Sequence, residues 1–245
     1  MSTQSNKLQT FAAVLEDTYA RIDWHKLGDQ YCFEGGENFF SDDALEAIQD
    51  AGLHIASDME ACLSSFESPR SLYVGPGVAE LVMILFESIV LGRQVSAVTL
   101  PGVEPDEINR VWTGLSKEHK IALPMFDTSP LLVAEETCVS HLWFASVVTD
   151  PETFAALHDR LYKRQDTPNA IGGGNLTKET QRAEQLILTA LTWVTIPSLI
   201  TTSQEELELF FQVIGGRGLR LDVPVQGRLS PIVGDSIFHC NLRVV

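Results

Sequence analysis

The chain has 245 residues, of which 44% are hydrophobic and 20% charged, which fits a globular protein of one large domain or one domain with an appendage. Its 17 basic and 33 acidic side chains give a formal net charge of −16, which disfavours bulk binding to nucleic acid or anionic membranes. The N-terminus lacks the pattern of a signal peptide, and the four cysteines form no C-x-x-C pair. The sequence therefore predicts a cytoplasmic protein with reduced cysteines.

The first part of the chain is predicted to be helical. Apolar residues recur at helical spacing from Leu8 to Leu15 and again from Leu45 to Cys62. Ser41 is placed to cap the second helix, because its hydroxyl oxygen can accept a hydrogen bond from a free backbone N–H. The helical pattern ends just before a proline, which indicates a boundary. The sequence thus predicts a helical accessory region, or lid, at residues 1–66 and a second region at 67–245.

From that boundary onward, predicted strands alternate with predicted helices. Because parallel neighbours need crossover connections, this alternation implies a parallel sheet covered on both faces. Residues 219–245 contain two alternating strands with no helix between them, which pair as an antiparallel hairpin. The predicted fold class is α/β: a doubly wound, mostly parallel seven-stranded sheet with a C-terminal antiparallel hairpin and an N-terminal helical extension. The five strands before the hairpin are predicted at 71–74, 94–100, 120–126, 139–148 and 195–201.

The first of these strands ends at a glycine turn, within the stretch SLYVGPGVAELVMILFE at residues 71–87. Gly75 and Gly77 have no Cβ, so the backbone there can bend sharply and approach a ligand. A helix that begins at Val78 directs free N–H groups toward an anion. The dinucleotide fingerprint G-x-G-x-x-G needs a small residue where Glu80 stands, so a nicotinamide or flavin cofactor is not expected. The sequence has no P-loop, G-x-S-x-G elbow or H-x-x-x-H pair, and no metal site is predicted.

The order of elements and the motif LYVGPGVA at residues 72–79 resemble the class I, seven-stranded S-adenosylmethionine-dependent methyltransferases. In that family a strand ends in h-D-h-G-x-G-x-G, and the sheet finishes with an antiparallel hairpin at its edge. The resemblance covers about residues 67–245. It implies that S-adenosylmethionine is the cofactor and that Gly75 and Gly77 lie against it.

The resemblance also implies where the rest of the cofactor binds. Glu104 corresponds to the acidic residue that accepts the ribose hydroxyls, although acidic side chains in a first helical turn also complement the helix dipole. Asp127 corresponds to the residue near the adenine amino group, with Phe126 as an apolar wall. An Asx turn ahead of Ser129 is the alternative for Asp127. The residue after the fourth strand, Asp150, is expected to cap a helix rather than to act as a base.

Three positions depart from the family's pattern. Tyr73, Thr99 and Ser140 stand where the family carries acidic residues. Beside Ser140, His141 is expected to be a satisfied core histidine, so no catalytic residue is assigned. The departures favour a catalytically inactive methyltransferase-like binding or scaffold protein as the alternative to an enzyme.

The leading hypothesis is S-adenosylmethionine-dependent methyl transfer to a small-molecule or protein acceptor. In such a reaction the protein mainly positions a bound donor in line with a nucleophile. The acidic composition argues against a nucleic-acid acceptor and against membrane binding. The predicted partners are thus a small molecule or a protein, with a homodimer left open.

Overall fold

A computed structural model describes residues 3–31, 36–66, 68–136, 138–230, 232 and 234–245. Helices make up the N-terminal part of the described chain and then alternate with strands, as the sequence predicts. Short 3₁₀ turns lie at Gly36–Asn38 and Val78–Glu80, and a π-helical turn at Phe86–Val90 extends the fourth helix. The α-helices are α1 (Thr3–Arg21), α2 (Trp24–Tyr31), α3 (Asp42–Leu63), α4 (Leu81–Leu85), α5 (Val103–His119), α6 (Ala155–Leu161), α7 (Leu176–Leu191) and α8 (Leu207–Ile214).

The described residues form one eight-stranded sheet in the order β3-β2-β1-β4-β5-β8-β6, with β7 paired to β8. Strands β1 to β5 run parallel, and β8 lies antiparallel between β5 and β6. The two-residue β7 is an addition to the seven strands that the sequence predicts. The strands are β1 (Arg70–Val74), β2 (Gln94–Val98), β3 (Phe126–Asp127), β4 (Val139–Phe144), β5 (Val194–Ser203), β6 (Leu219–Asp222), β7 (Arg228–Leu229) and β8 (Ser236–Val244).

The alternation of side chains along the central strands builds two separate apolar layers. Leu72 and Leu142, which lie opposite each other in β1 and β4, pack against α6, α7 and α8. Tyr73 and Trp143, the next pair, face the other layer with α1, α3, α4 and α5. Both faces of the sheet are therefore covered, as a parallel sheet requires.

The N-terminal helices lie on one face of the sheet and share its core. Phe11 of α1 packs edge-to-face on Phe86, with ring centroids 5.6 Å apart. Ser41 caps α3 as predicted, accepting a hydrogen bond from Ala44 N at 3.4 Å. Arg21 of α1 also pairs with Glu118 of α5 at 2.6 Å. Residues 1–66 are thus packed closely on the second region, and the predicted division at 66/67 stays a prediction.

Several predicted boundaries differ from the structure because backbone turns end or delay an element. The fourth strand was expected over 139–148, but β4 ends at Phe144, before the turn at Ser146 with φ 60°. The third strand was expected over 120–126, but Lys120 adopts φ 55° at the end of α5 and only Phe126 and Asp127 pair with β2. The helix that Asp150 was expected to cap begins only at Ala155. A turn held by Asp150, whose carbonyl accepts from Phe154 N at 2.8 Å, occupies the intervening residues.

Two further expectations concern cysteines and membranes. Cys62, Cys138 and Cys240 are free, as expected, whereas Cys32 lies outside the described residues. Across the part of the chain that the structure describes, every helix is too short or too polar to cross a membrane.

Candidate functional site

A cavity of about 1180 Å³ opens at the carboxyl ends of the parallel strands. Strand β1 lies between β2 and β4, so the strand order reverses there, and such a switch point is where open α/β sheets bind ligands. The glycine turn after β1, the end of β2 and the loop after β4 line the cavity. Tyr31 of α2 and Ile55 of α3 close one side, while α6 and α7 contribute to the opposite wall.

The glycine turn has the backbone conformation that its sequence predicts. Gly75 adopts φ +65°, a region that side chains with a Cβ rarely adopt, and its N–H donates to Val98 O at 2.7 Å. A Cβ at Gly75 would also lie 3.3 Å from Val147 Cγ2. The turn therefore holds the ends of β1, β2 and the loop after β4 close together at the base of the cavity.

Two glutamates of this chain accept the free N–H groups of the turn. Gly77 N donates to Glu80 Oε2 at 2.9 Å, and Val78 N donates to Glu104 Oε1 at 2.7 Å. Tyr31 also donates its hydroxyl to Glu104 Oε1, at 2.7 Å. A Cβ at Gly77 would lie only 2.7 Å from that same oxygen, so glycine is needed for Glu104 to reach the backbone. The turn thus presents carboxylates to the cavity in place of bare amides.

Both carboxyl groups resist ionisation. Burial raises the pKa of Glu80 to about 8, and the nearby carboxyl group of Glu104 raises it in the same direction. The hydrogen bond from the Gly77 N–H acts in the opposite direction. Loss of solvent also raises the pKa of Glu104, against the lowering effect of its bonds to Tyr31 and Val78. A positive charge placed beside the pair would favour ionisation of both groups. This end of the cavity is therefore suited to a cationic ligand.

The two predicted residues of the third strand lie away from this end. Phe126 is buried and packs edge-to-face on Trp112, with ring centroids 5.6 Å apart. Asp127 is exposed, and its Oδ1 accepts from Ser129 N at 2.9 Å, which is the Asx-turn alternative. Neither residue lines the cavity, whereas the next residues, Thr128 and Ser129, do. The structure thus groups Gly75, Gly77 and Glu104 but places Phe126 and Asp127 apart from them.

The loop after β4 is held by a buried glutamate that sequence reasoning missed. Glu206 accepts hydrogen bonds from three consecutive backbone N–H groups, those of Ser146 at 3.1 Å, Val147 at 2.7 Å and Val148 at 2.9 Å. Burial raises the pKa of Glu206 to about 7. Ser146 adopts φ +60°, unusual for a residue with a Cβ. Local spacing predicts a capping box between Ser203 and Glu206, but the carboxylate instead fixes this loop at the cavity floor.

The opposite wall carries a second polar group. Tyr162 and Ser146 both donate hydroxyl hydrogen bonds to Asp235 Oδ2, the latter at 3.4 Å. Burial raises the pKa of Asp235, and burial together with Asp235 raises the pKa of Tyr162, so the phenol stays protonated. Two arginines, Arg164 and Arg182, also line this wall. These residues come from separate elements, and no spacing in the sequence relates them.

Comparison with known proteins finds no matching protein-family model and no matching curated protein. Solved structures do match at low identity. An S-adenosylmethionine-dependent O-methyltransferase from Thermotoga maritima is 12% identical, with a TM-score of 0.46 over 78% of this chain and 65% of that chain. The O-methyltransferase from Bacillus cereus, in complex with SAH, is 10% identical, with a TM-score of 0.44 over 96% and 90%. TYW2 from M. jannaschii, in complex with AdoMet, is 10% identical, with a TM-score of 0.44 over 80% and 77%.

The chain spans 65% of the Thermotoga protein and 46% of another match, PH0851, which is less than two thirds of either. These similarities concern the fold alone. The sheet itself has the arrangement predicted from the sequence, namely five parallel strands followed by an antiparallel strand inserted before the edge.

Two of the three positions that depart from the pattern of the resembled family serve the core. Tyr73 points away from the turn: its hydroxyl donates to Glu87 Oε1 at 2.6 Å, and its ring stacks on Trp143. Ser140 donates to Ser68 O at 2.6 Å and accepts from Arg93 at 2.9 Å. Neither residue lines the cavity.

The third departure, Thr99, does line the cavity. His141 is fully buried between Glu87 at 2.8 Å and Thr201 at 2.9 Å, and Asp150 accepts from Glu152 N at 3.0 Å within its own turn. His141 therefore has the structural role that was expected of it, whereas Asp150 holds the turn before α6 and does not cap that helix, whose N-cap residue is Phe154.

The turn end of the cavity fits a cationic ligand better than an anionic one. Trp143 lines the cavity, and its indole Nε1 lies close enough to Glu80 to favour the ionised form of that carboxyl group. The indole N–H nevertheless makes no hydrogen bond of normal geometry to the described residues. A ligand acceptor could satisfy it. The amides of Gly77 and Val78 already have carboxylate partners, so a ligand carboxylate needs a different site.

Proposed function

We propose that the protein binds S-adenosylmethionine in this cavity and transfers the methyl group to a small-molecule or protein acceptor. The observation that carries the proposal is the pair of carboxyl groups, Glu80 and Glu104, held against the glycine turn at the switch point of the sheet. A positively charged nucleoside matches this pair in charge and in hydrogen bonding. The cavity of about 1180 Å³ is large enough for a cofactor together with a small acceptor.

Different residues of the cavity bind different parts of the cofactor in this proposal. Gly75 and Gly77 line the cavity beside the cofactor in this proposal. Gly77 leaves the space through which Glu104 reaches the turn, and from there Glu104 is placed to accept the ribose hydroxyls. Glu80 is placed to neutralise the cationic end, because an adjacent positive charge favours its ionised form. Thr128 and Ser129 replace Asp127 and Phe126 as the neighbours of the base in this proposal, since they line the cavity.

When bound, S-adenosylmethionine supplies an electrophilic methyl group on a sulfonium centre. The chain's own contribution is to orient the acceptor and to exclude water. The helical region 1–66 supports this role, because Gln30, Tyr31 and Ile55 close one side of the cavity. Tyr31 also ties that region to the cofactor end through its hydrogen bond to Glu104.

A binding protein without catalysis is the second candidate. Glu206 already occupies the loop amides after β4, and Glu80 and Glu104 occupy those of the turn. These bonds stabilise the site without any ligand. Such a protein would bind the cofactor without turnover.

Titration calorimetry with S-adenosylmethionine and S-adenosylhomocysteine tests the proposal. We expect binding, weakened about tenfold by Glu104→Gln because a ribose hydroxyl loses a charged acceptor. Asp106→Asn is the matched control, since this exposed acidic residue lies on the same helix and does not line the cavity. Absence of binding to either compound would refute the proposed function.

A methyl-transfer assay with labelled cofactor and a panel of small molecules and protein extracts separates the two candidates. Release of S-adenosylhomocysteine that depends on an acceptor supports the enzyme. Cofactor binding with no release across the panel supports the binding protein.

A further inference from the structure

The cavity wall opposite Glu80 and Glu104 carries two arginines without acidic partners. Acidic side chains outnumber basic ones 33 to 17 in this chain, so most arginines find a carboxylate. Across the described residues, no Asp or Glu lies within ion-pair distance of Arg164 or Arg182. Seven other arginines do make ion pairs: Arg21, Arg93, Arg110, Arg160, Arg220, Arg228 and Arg243.

Aromatic rings hold both arginines in place. The guanidinium carbon of Arg164 lies 5.0 Å from the centre of the Tyr162 ring, and that of Arg182 lies 5.3 Å from the centre of the Phe154 ring. All four residues line the cavity. Stacking uses the flat face of a guanidinium and leaves the N–H groups along its edge free to donate. Each guanidinium group can therefore donate hydrogen bonds to an anion in the cavity.

The carboxylates near these arginines are engaged elsewhere. Asp150 accepts from Glu152 N and from Thr153 Oγ1 in its own turn. Asp235 accepts from the hydroxyls of Tyr162 and Ser146. Glu152 and Arg182, both on this wall, are exposed to solvent, which screens the attraction between charges there. Arg164 acts on Asp235 through space, opposing the rise in the pKa of that carboxyl, but neither arginine forms an ion pair with a carboxylate of the described residues.

Apolar side chains complete this wall. Leu131, Leu186 and Phe154 line the cavity together with the two arginines. An acceptor that matches the wall therefore combines an apolar body with an anionic group. The cationic end of the cofactor and the anionic group of the acceptor would lie at opposite walls of one cavity, each against side chains of opposite charge.

We propose that Arg164 and Arg182 bind the anionic group, a carboxylate or a phosphate, of a small acceptor with an apolar body. The inference rests on the proposed function for the identity of the reaction, but the anion site is defined by this chain's own residues. The inference narrows the proposed class of acceptor from any small molecule or protein to small anionic compounds.

Ligand-observed ¹⁹F NMR on the full chain tests the site directly. The probes are 4-fluorobenzoate, its neutral counterpart 4-fluorobenzamide, and 4-fluorophenyl phosphate. We expect at least one anion to bind, and the benzamide to bind about fivefold or more weakly than the preferred anion, because charged hydrogen bonds are lost. The preferred anion distinguishes a carboxylate acceptor from a phosphate acceptor.

Variants assign the binding to the two arginines. Arg164→Gln and Arg182→Gln should each weaken binding of the preferred anion by about fivefold, and the double variant should weaken it further. Arg160→Gln is the matched control, because Arg160 lies on α6, pairs with Glu208 and does not line the cavity. Thermal unfolding of each variant shows whether it is folded.

Three results would overturn the inference: no binding of either anion to the wild-type chain, binding of the preferred anion no stronger than binding of the benzamide, or anion binding unchanged in the double variant. These outcomes are separate from failure of the proposed function, which appears as loss of S-adenosylmethionine binding in calorimetry. Anion binding without cofactor binding would keep the arginine site and refute the methyl transfer.

Discussion

Glu80 and Glu87 lie seven residues apart on one continuous helical segment, yet their environments are opposite. Burial raises the pKa of Glu80 to about 8. This carboxyl group accepts a hydrogen bond from Gly77 N, and the nearby Glu104 disfavours its ionised form. Although burial acts on Glu87 in the same direction, His141, Ser71 and Tyr73 outweigh it and lower its pKa to about 2. Burial alone therefore does not decide the charge of a carboxyl group in this fold.

The difference separates a structural carboxylate from one available to a ligand. Glu87 accepts hydrogen bonds from Ser71, from Tyr73 at 2.6 Å and from Arg93 at 3.0 Å, and it contacts His141 at 2.8 Å. Its charge is fully compensated inside the core. Glu80 lines the cavity and has no cationic partner among the described residues. The charge that would balance it must come from outside the chain, which is the physical basis of the proposed cofactor site.

The largest effect is expected at Glu87. Glu87→Gln removes the negative charge and leaves Arg93 buried without its counter-ion, so the free energy of unfolding should fall by about 3–5 kcal/mol. Urea unfolding monitored by circular dichroism measures this loss. Glu60→Gln, at an exposed position on α3, should change stability by less than about 0.5 kcal/mol. A Glu87→Gln protein as stable as the wild type would show that the buried network is not a structural element.

The second largest effect is expected at Gly77, in the turn whose N–H groups bind Glu80 and Glu104. In Gly77→Ala the new Cβ would lie 2.7 Å from Glu104 Oε1 and force the carboxylate from the turn. We expect about 1–2 kcal/mol of destabilisation and a weaker affinity for S-adenosylmethionine. Gly114→Ala is the control, because a Cβ there meets nothing within 4 Å and alanine suits a helix interior. Unchanged cofactor affinity in Gly77→Ala would separate the turn from the binding site.

The fold was predictable from sequence more fully than the site, for a physical reason. Periodicity and the two glycines are local signals, and they predict the parallel sheet, the closing hairpin and the bend at Gly75. Glu87, Arg93 and His141 meet only after three elements pack, so no local spacing shows their network. For Asp127 the sequence supports two interpretations, a contact with the adenine and an Asx turn. Sequence alone could not place it relative to the cavity, which the folded chain lines with Thr128 and Ser129 instead.

The third prediction uses the raised pKa of Glu80. At neutral pH this group is mostly protonated, and a bound cation should drive its proton off. S-adenosylmethionine binding should therefore release protons and strengthen by up to about tenfold per pH unit between about pH 6 and pH 8. Calorimetry in buffers of different ionisation enthalpy measures the release. In Glu80→Gln the release should largely disappear, and a release of equal size there would assign the proton to another group.

The smallest effect concerns stability without ligand. The pKa of Glu80 is about 8 in the folded protein, against 4.5 as the ordinary value, so the folded state holds the proton more tightly. The resulting loss of stability is absent below about pH 4.5, grows as the pH rises, and is complete above about pH 8. Glu80→Gln removes this loss while its amide oxygen can still accept from Gly77 N. Because Glu80 is only partly buried, solvent in the cavity screens most of this loss. The Tm of Glu80→Gln should therefore exceed that of the wild type by about 2–4 °C at pH 8 and by less at pH 5, as measured by calorimetric scans. A lower Tm at pH 8 would mean that the ionised carboxylate stabilises the turn, and Glu80 would then resemble Glu87 rather than oppose it.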